Sequence, residues 1–169
     1  TFKKNDAGTA TQSVYVTTTG ELSTPNLNQN VDATVITTTG SFSTSNLDTS
    51  SLDAEQMSEV MGYFEDAITE ELALPPGSTV TVTSIDTNGL VQYELLTYGD
   101  TSAEANTATS SIHTTLSDTS TLDSISNAVL ALSQASSSDA DIIDILTSTT
   151  VDSHTIGTTA EETIPKFTT

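Results

Sequence analysis

Residues 14–27 and 34–47 are two versions of one ribbon. Val14-Tyr15-Val16-Thr17-Thr18-Thr19-Gly20-Glu21-Leu22-Ser23-Thr24-Pro25-Asn26-Leu27 is matched, without a gap, by Thr34-Val35-Ile36-Thr37-Thr38-Thr39-Gly40-Ser41-Phe42-Ser43-Thr44-Ser45-Asn46-Leu47. Thr17–Gly20, Ser23, Thr24, Asn26 and Leu27 recur unchanged, while Tyr15, Val16 and Leu22 become Val35, Ile36 and Phe42. Both copies have the β-branched enrichment of a strand and a glycine where a bulge or bend can sit. Any fold for this chain must therefore place two like strands. Solenoids need three or more copies, and there are two. Either the ribbons are adjacent strands of one sheet, or the second is the domain's first strand and the first is a detachable imitation. Such an imitation adds to another subunit's sheet by β-augmentation.

Residues 1–12 are short of apolar side chains. After the second ribbon, Asp53 and Gln56 have capping-box spacing. Met57, Val60, Met61, Phe64, Ala67, Ile68 and Leu72 then form one apolar stripe at helical steps, which predicts a helix over 53–72. Pro75-Pro76-Gly77 stops it. Ser78–Asp86 alternates as a strand, Asn88-Gly89 signals a hairpin, and Leu90–Tyr98 returns as the partner. Thr101 and Glu104 repeat the capping-box spacing ahead of a weaker helix to Leu116. Asp118–Thr121 breaks that helix, and a further one carries Leu122, Ile125, Val129 and Leu132. Asp141–Thr147 is expected to be the last strand, followed by an extended Thr-rich tail.

The order over Val31–Val151 is β-α-β-β-α-β, an α+β class with one antiparallel sheet and helices on one face. It resembles the ferredoxin-like class, and more narrowly the SEA-type modules of extracellular proteins, over about the middle two-thirds of the chain. Pro76-Gly77-Ser78-Thr79-Val80 is similar to the Gly-Ser-Val-Val-Val stretch at which some SEA modules cut themselves. In that family the scission point lies between two paired strands. Here Gly77-Ser78 follows a helix, so the stretch reads as a helix stop. The expected organisation is an N-terminal arm over 1–30, an α+β domain over 31–152 and an extended tail over 153–169.

Charge excludes several partners. The chain has 3 Lys+Arg against 23 Asp+Glu, a formal net charge of -20. All three cations are lysines at the ends, Lys3, Lys4 and Lys166. From Asn5 to Pro165 there is no basic side chain, so the phosphate neutralisation that nucleic-acid binding needs has nothing there to perform it, and anionic membrane surfaces repel such a body. No apolar run approaches membrane-spanning length. Copies of the body repel one another, so assembly must use screening, divalent cations, apolar docking or backbone pairing. Ser and Thr make up roughly a third of the chain, well above globular usage. They solvate a surface without charge and accept O-linked sugar. The absence of cysteine excludes a disulfide framework. The expectation is a secreted, extracellular protein released by precursor processing.

Chemistry-bearing motifs are few. His113 and His154 are the only histidines, and His113 reads as a structural residue of the weak helix. No Gly-x-Ser-x-Gly elbow, Walker sequence or Gly-x-Gly-x-x-Gly occurs. Two histidines without cysteine do not make a zinc site. Asp139, Asp141 and Asp144 are the nearest approach to a calcium cluster, without the EF-hand's glycine and closing glutamate. Neither an enzyme nor a cofactor is expected; diffuse binding of divalent cations is.

The reading that joins these observations is a structural subunit of an extracellular filament, pilus-like in logic. Val14, Tyr15, Val16, Thr18 and Leu22 of the arm add to a neighbour's sheet, with Lys3 and Lys4 against its carboxylates. Val35, Ile36 and Phe42 are the corresponding positions of the domain's own first strand. The partner is the chain itself, head to tail. The alternative is a SEA-like, non-catalytic binding or spacer module of an O-glycosylated surface protein, with both ribbons folded in one molecule.

Overall fold

The computed structural model describes residues 32–165. In order the elements are β1 (Ala33–Ser45), α1 (Ala54–Glu71), β2 (Thr79–Ile85), β3 (Leu90–Gly99), α2 (Ser102–Leu116), α3 (Thr119–Ser136), α4 (Ala140–Ser148) and β4 (Thr150–Ile164). The four strands form one antiparallel sheet in the order β2-β3-β1-β4. The α+β class is therefore as the sequence predicts.

Local chemistry sets the element ends. The Asp53 carboxylate accepts from the backbone N–H groups of Glu55 and Gln56, and the Gln56 side chain accepts from Asp53 N–H, which is a complete capping box. Gln56 also donates to the Asp139 carboxylate at 2.7 Å, tying the start of α1 to the start of α4. Past α1, Ser78 N–H bonds to Pro75 C=O around Gly77 at φ +85°, a turn with glycine where only glycine is unstrained. Between β2 and β3 the Asp86 carboxylate accepts from Asn88 and Leu90 N–H, and Gly89 takes φ +79°. At α2 only half of the expected box forms, with Thr101 accepting from Glu104 N–H.

Two elements differ from expectation. Asp141–Thr147 is the helix α4, not a strand. Ile142 and Leu146, four apart, point into the core, and Asp139 caps the helix. The last strand is β4, which starts at Thr150 and runs through the stretch set apart as a tail. Residues 153–164 pair along β1 up to Ala33–Ile164.

The core lies between one sheet face and the helices. Val60, Phe64 and Ile68 of α1 meet Val80, Val82, Val91, Tyr93 and Leu95 of the sheet, with Ile125 and Val129 of α3 and Ile142 and Leu146 of α4. Beneath α2 the packing is smaller and more polar. Gly99 lies against the Ala105 backbone with no room for a side chain, and Thr34, Thr38, Thr97 and Thr109 are buried.

Candidate assembly site at the sheet edges

β1 is a central strand. Thr34–Ser43 pair with β3 on one side and Ala33–Ser45 with β4 on the other. Ile36 and Phe42 are buried in the core, and Val35 is half-buried on the open face. Both sides of β1 are thus taken by described strands, β3 and β4. Val14, Tyr15, Val16, Thr18, Leu22, Lys3 and Lys4 lie outside the described residues, as does Lys166.

The seat of β1 is specific. The Tyr93 ring passes over Gly40, where an added Cβ would lie 2.5 Å from the phenol oxygen. Phe42 stacks on Tyr93 with centroids 5.2 Å apart and meets the His154 ring at 4.9 Å. Opposite Thr39, β4 carries a bulge at Gly157-Thr158, and the Thr39 hydroxyl accepts from Thr158 N–H at 2.9 Å. A second bulge lies at Asp152, whose carboxylate accepts from the Ser45 and Thr150 hydroxyls. The Thr44 hydroxyl donates to Gly89 C=O at 2.6 Å, locking the end of β1 to the β2–β3 turn.

His154 completes this seat. The phenol of Tyr93 and Nε2 of His154 are 2.6 Å apart. Burial, helped by repulsion from the His113 charge, pushes His154 down to about 4. Burial also lowers His113, whose Nε2 is enclosed without a hydrogen-bond partner, and raises the Tyr93 phenol well above its ordinary range. At neutral pH both members of the Tyr93–His154 pair are uncharged. The two neutral rings share one hydrogen bond, whose direction follows the imidazole tautomer. Sequence reasoning missed this role for His154, because nothing in the Thr-rich stretch around it shows that it faces Tyr93.

The two outer edges are unlike. β2 is seven residues long and bulged at Thr83, and its Val82 N–H donates to the Glu65 carboxylate of α1 at 3.0 Å. β4 has 15 residues, and beyond Val151 only His154 is even half-buried. Ile156 (37%) and Ile164 (42%) are the exposed large hydrophobic residues among those described, and both are on β4. The outer part of β4 is tied to a helix through Glu161, which accepts from Ser102 and Asn106 of α2; these bonds lower its pKa.

Elsewhere the surface has open grooves, one of about 350 Å³ between α3 and the end of α4, lined by residues such as Asp123, Asn127 and Thr147. A shallow groove of about 260 Å³ on the open sheet face, lined by residues such as Thr39, Ser41, Gln92 and Glu94, is smaller than usual small-molecule sites. Asp139 is used as a helix cap, and no group of three metal-ligating side chains occurs among the described residues. No described helix is long and apolar enough to cross a membrane. Comparisons with protein-family models, curated proteins and solved structures return no match for the chain.

Proposed function

We propose that this protein is a structural subunit of an extracellular filament, assembled head to tail by β-strand donation from residues 1–30 to a neighbouring subunit. The observation that carries the reading is the central position of β1. A strand-like copy of β1 exists in the chain, and both edges beside β1 are taken. Among the described residues the long outer edge of β4 has no strand beside it and carries two exposed isoleucines, features by which an edge recruits another strand. All the lysines lie outside a body in which every charged residue is acidic, so a donated arm brings the opposite charge to its acceptor. The exposed threonines of β4 supply acceptors for O-linked sugar.

The strand order β2-β3-β1-β4, with the buried strand side chains on one face, supports the finer fold assignment, a ferredoxin-like and SEA-like module. That order also favours the second reading, a spacer module of a glycosylated surface protein. Sedimentation and electron microscopy of the whole chain beside residues 31–169 separate the two. Filament formation, promoted by salt and lost on truncation, is the expected result. Two equal monomers at all salt concentrations would leave the spacer reading.

A further inference from the structure

The residues shared by the two ribbons are mostly those that the seat of β1 uses. Thr38 is buried, Thr39 holds the β4 bulge, and Gly40 lets the Tyr93 ring pass. Thr44 bonds the hairpin carbonyl at Gly89. Asn46 takes φ +64°, and its side-chain amide donates to Ser148 C=O at 3.2 Å. Leu47 is buried in the core cluster. Thr18, Thr19, Gly20, Thr24, Asn26 and Leu27 repeat all six. Thr37 and Ser43 are the shared residues whose side chains have no such role.

The substitutions reach both open and buried positions, and the buried Ala33 and Thr34 become Ser13 and Val14. Val35 and Ser41, half-buried, become Tyr15 and Glu21, and exposed Ser45 becomes Pro25. At the buried positions Ile36 and Phe42 the first ribbon has the smaller apolar residues Val16 and Leu22. A strand added to an outer edge needs the right alternation and register. It does not need a glycine beneath a phenol, a residue suited to the left-handed region, or a hydroxyl aimed at a turn carbonyl.

We infer that residues 13–27 are a second occupant of the β1 seat, able to replace residues 33–47 between β3 and β4 of the same molecule. Residues 28–52 would then connect the seated ribbon to Asp53 in place of residues 48–52. The longer connection adds little closure cost, because that cost grows only logarithmically with length. Residues 33–47 hold the seat in the native chain because Ile36 and Phe42 fill it more fully. The inference does not rest on filament assembly, since a lone molecule carries both ribbons.

Glycine substitutions in the full-length chain test it. Gly40→Val drives a side chain into the buried Tyr93 ring and disables the second ribbon. With Gly20 intact, the chain is expected to keep a cooperative thermal transition at a reduced temperature and to sediment as a monomer at low concentration. Gly20→Val alone leaves melting unchanged, and the double variant loses the transition. Phe42→Asp, with and without Leu22→Asp, repeats the logic at a second position. If Gly40→Val melts no better than the double variant, the inference is overturned. Rescue seen only in concentration-dependent oligomers overturns it too, and supports donation between molecules instead.

Discussion

The two edges of this sheet solve the edge problem in opposite ways. At β2 a helix carboxylate reaches down to bond an outward N–H, the strand is short, and a bulge interrupts it. At β4 the strand is twice as long, buries only Val151 fully, is held to α2 through Glu161, and has no strand on its outer side among the described residues. Unpaired edges template other strands, and proteins that stay apart blunt them. Among the described residues one edge is closed as in a monomeric protein, and the other is left open.

The largest effect expected from this contrast is on the covered side. Phe64→Ala removes a fully buried ring from the α1–sheet core and should cost about 3–5 kcal/mol in urea unfolding of residues 31–169. A cost under about 1 kcal/mol would show that α1 does not anchor the β2 side.

Acid should act next, on the side of β4. Folded His154 titrates about 4, below the ordinary 6.5, so the unfolded chain takes up its proton first as pH falls. Stability from this residue is complete above about pH 6.5 and is lost on the way down to about 4. The loss is about 1–2 kcal/mol, allowing for the partly solvated ring. His154→Gln should lack that part of the slope, and equal slopes in the two proteins would remove His154 from the β4 attachment.

The smallest effect is at the closed edge. Glu65→Ala frees the Val82 N–H and should cost about 1 kcal/mol. It should also give residues 31–169 a new concentration-dependent association, read by sedimentation. A variant that stays as monomeric as the parent would show that strand length and the bulge suffice to close β2.

The parts of the fold written plainly in the chain are those where one side chain does one local job. Asp53 with Gln56, the Pro75–Gly77 stop, and Asp86 with Gly89 each mark a boundary that the structure keeps. The misread region failed for a physical reason. Ile142, Ile143, Ile145 and Leu146 fit a buried strand or a short helix equally well, and Asp139 as a cap decides for the helix. β4 was missed as a paired strand because most of it is exposed on both faces, so it carries no alternation of apolar and polar residues. The duplicated ribbon was visible at once. That the second copy is hemmed in by β3 and β4 depends on long-range pairing, which no local pattern announces.

The ring lying over Gly40 also gives the molecule a built-in optical reporter. The chain has no tryptophan, so tyrosine emission is not drained into an indole. Tyr93 combines a nearly complete absence of solvent with a hydrogen-bonded phenol and a stacked phenylalanine. Set beside a Tyr93→Phe variant, which leaves Tyr15, Tyr63 and Tyr98, its share of the near-ultraviolet dichroism would follow what lies against it, unlabelled and in real time.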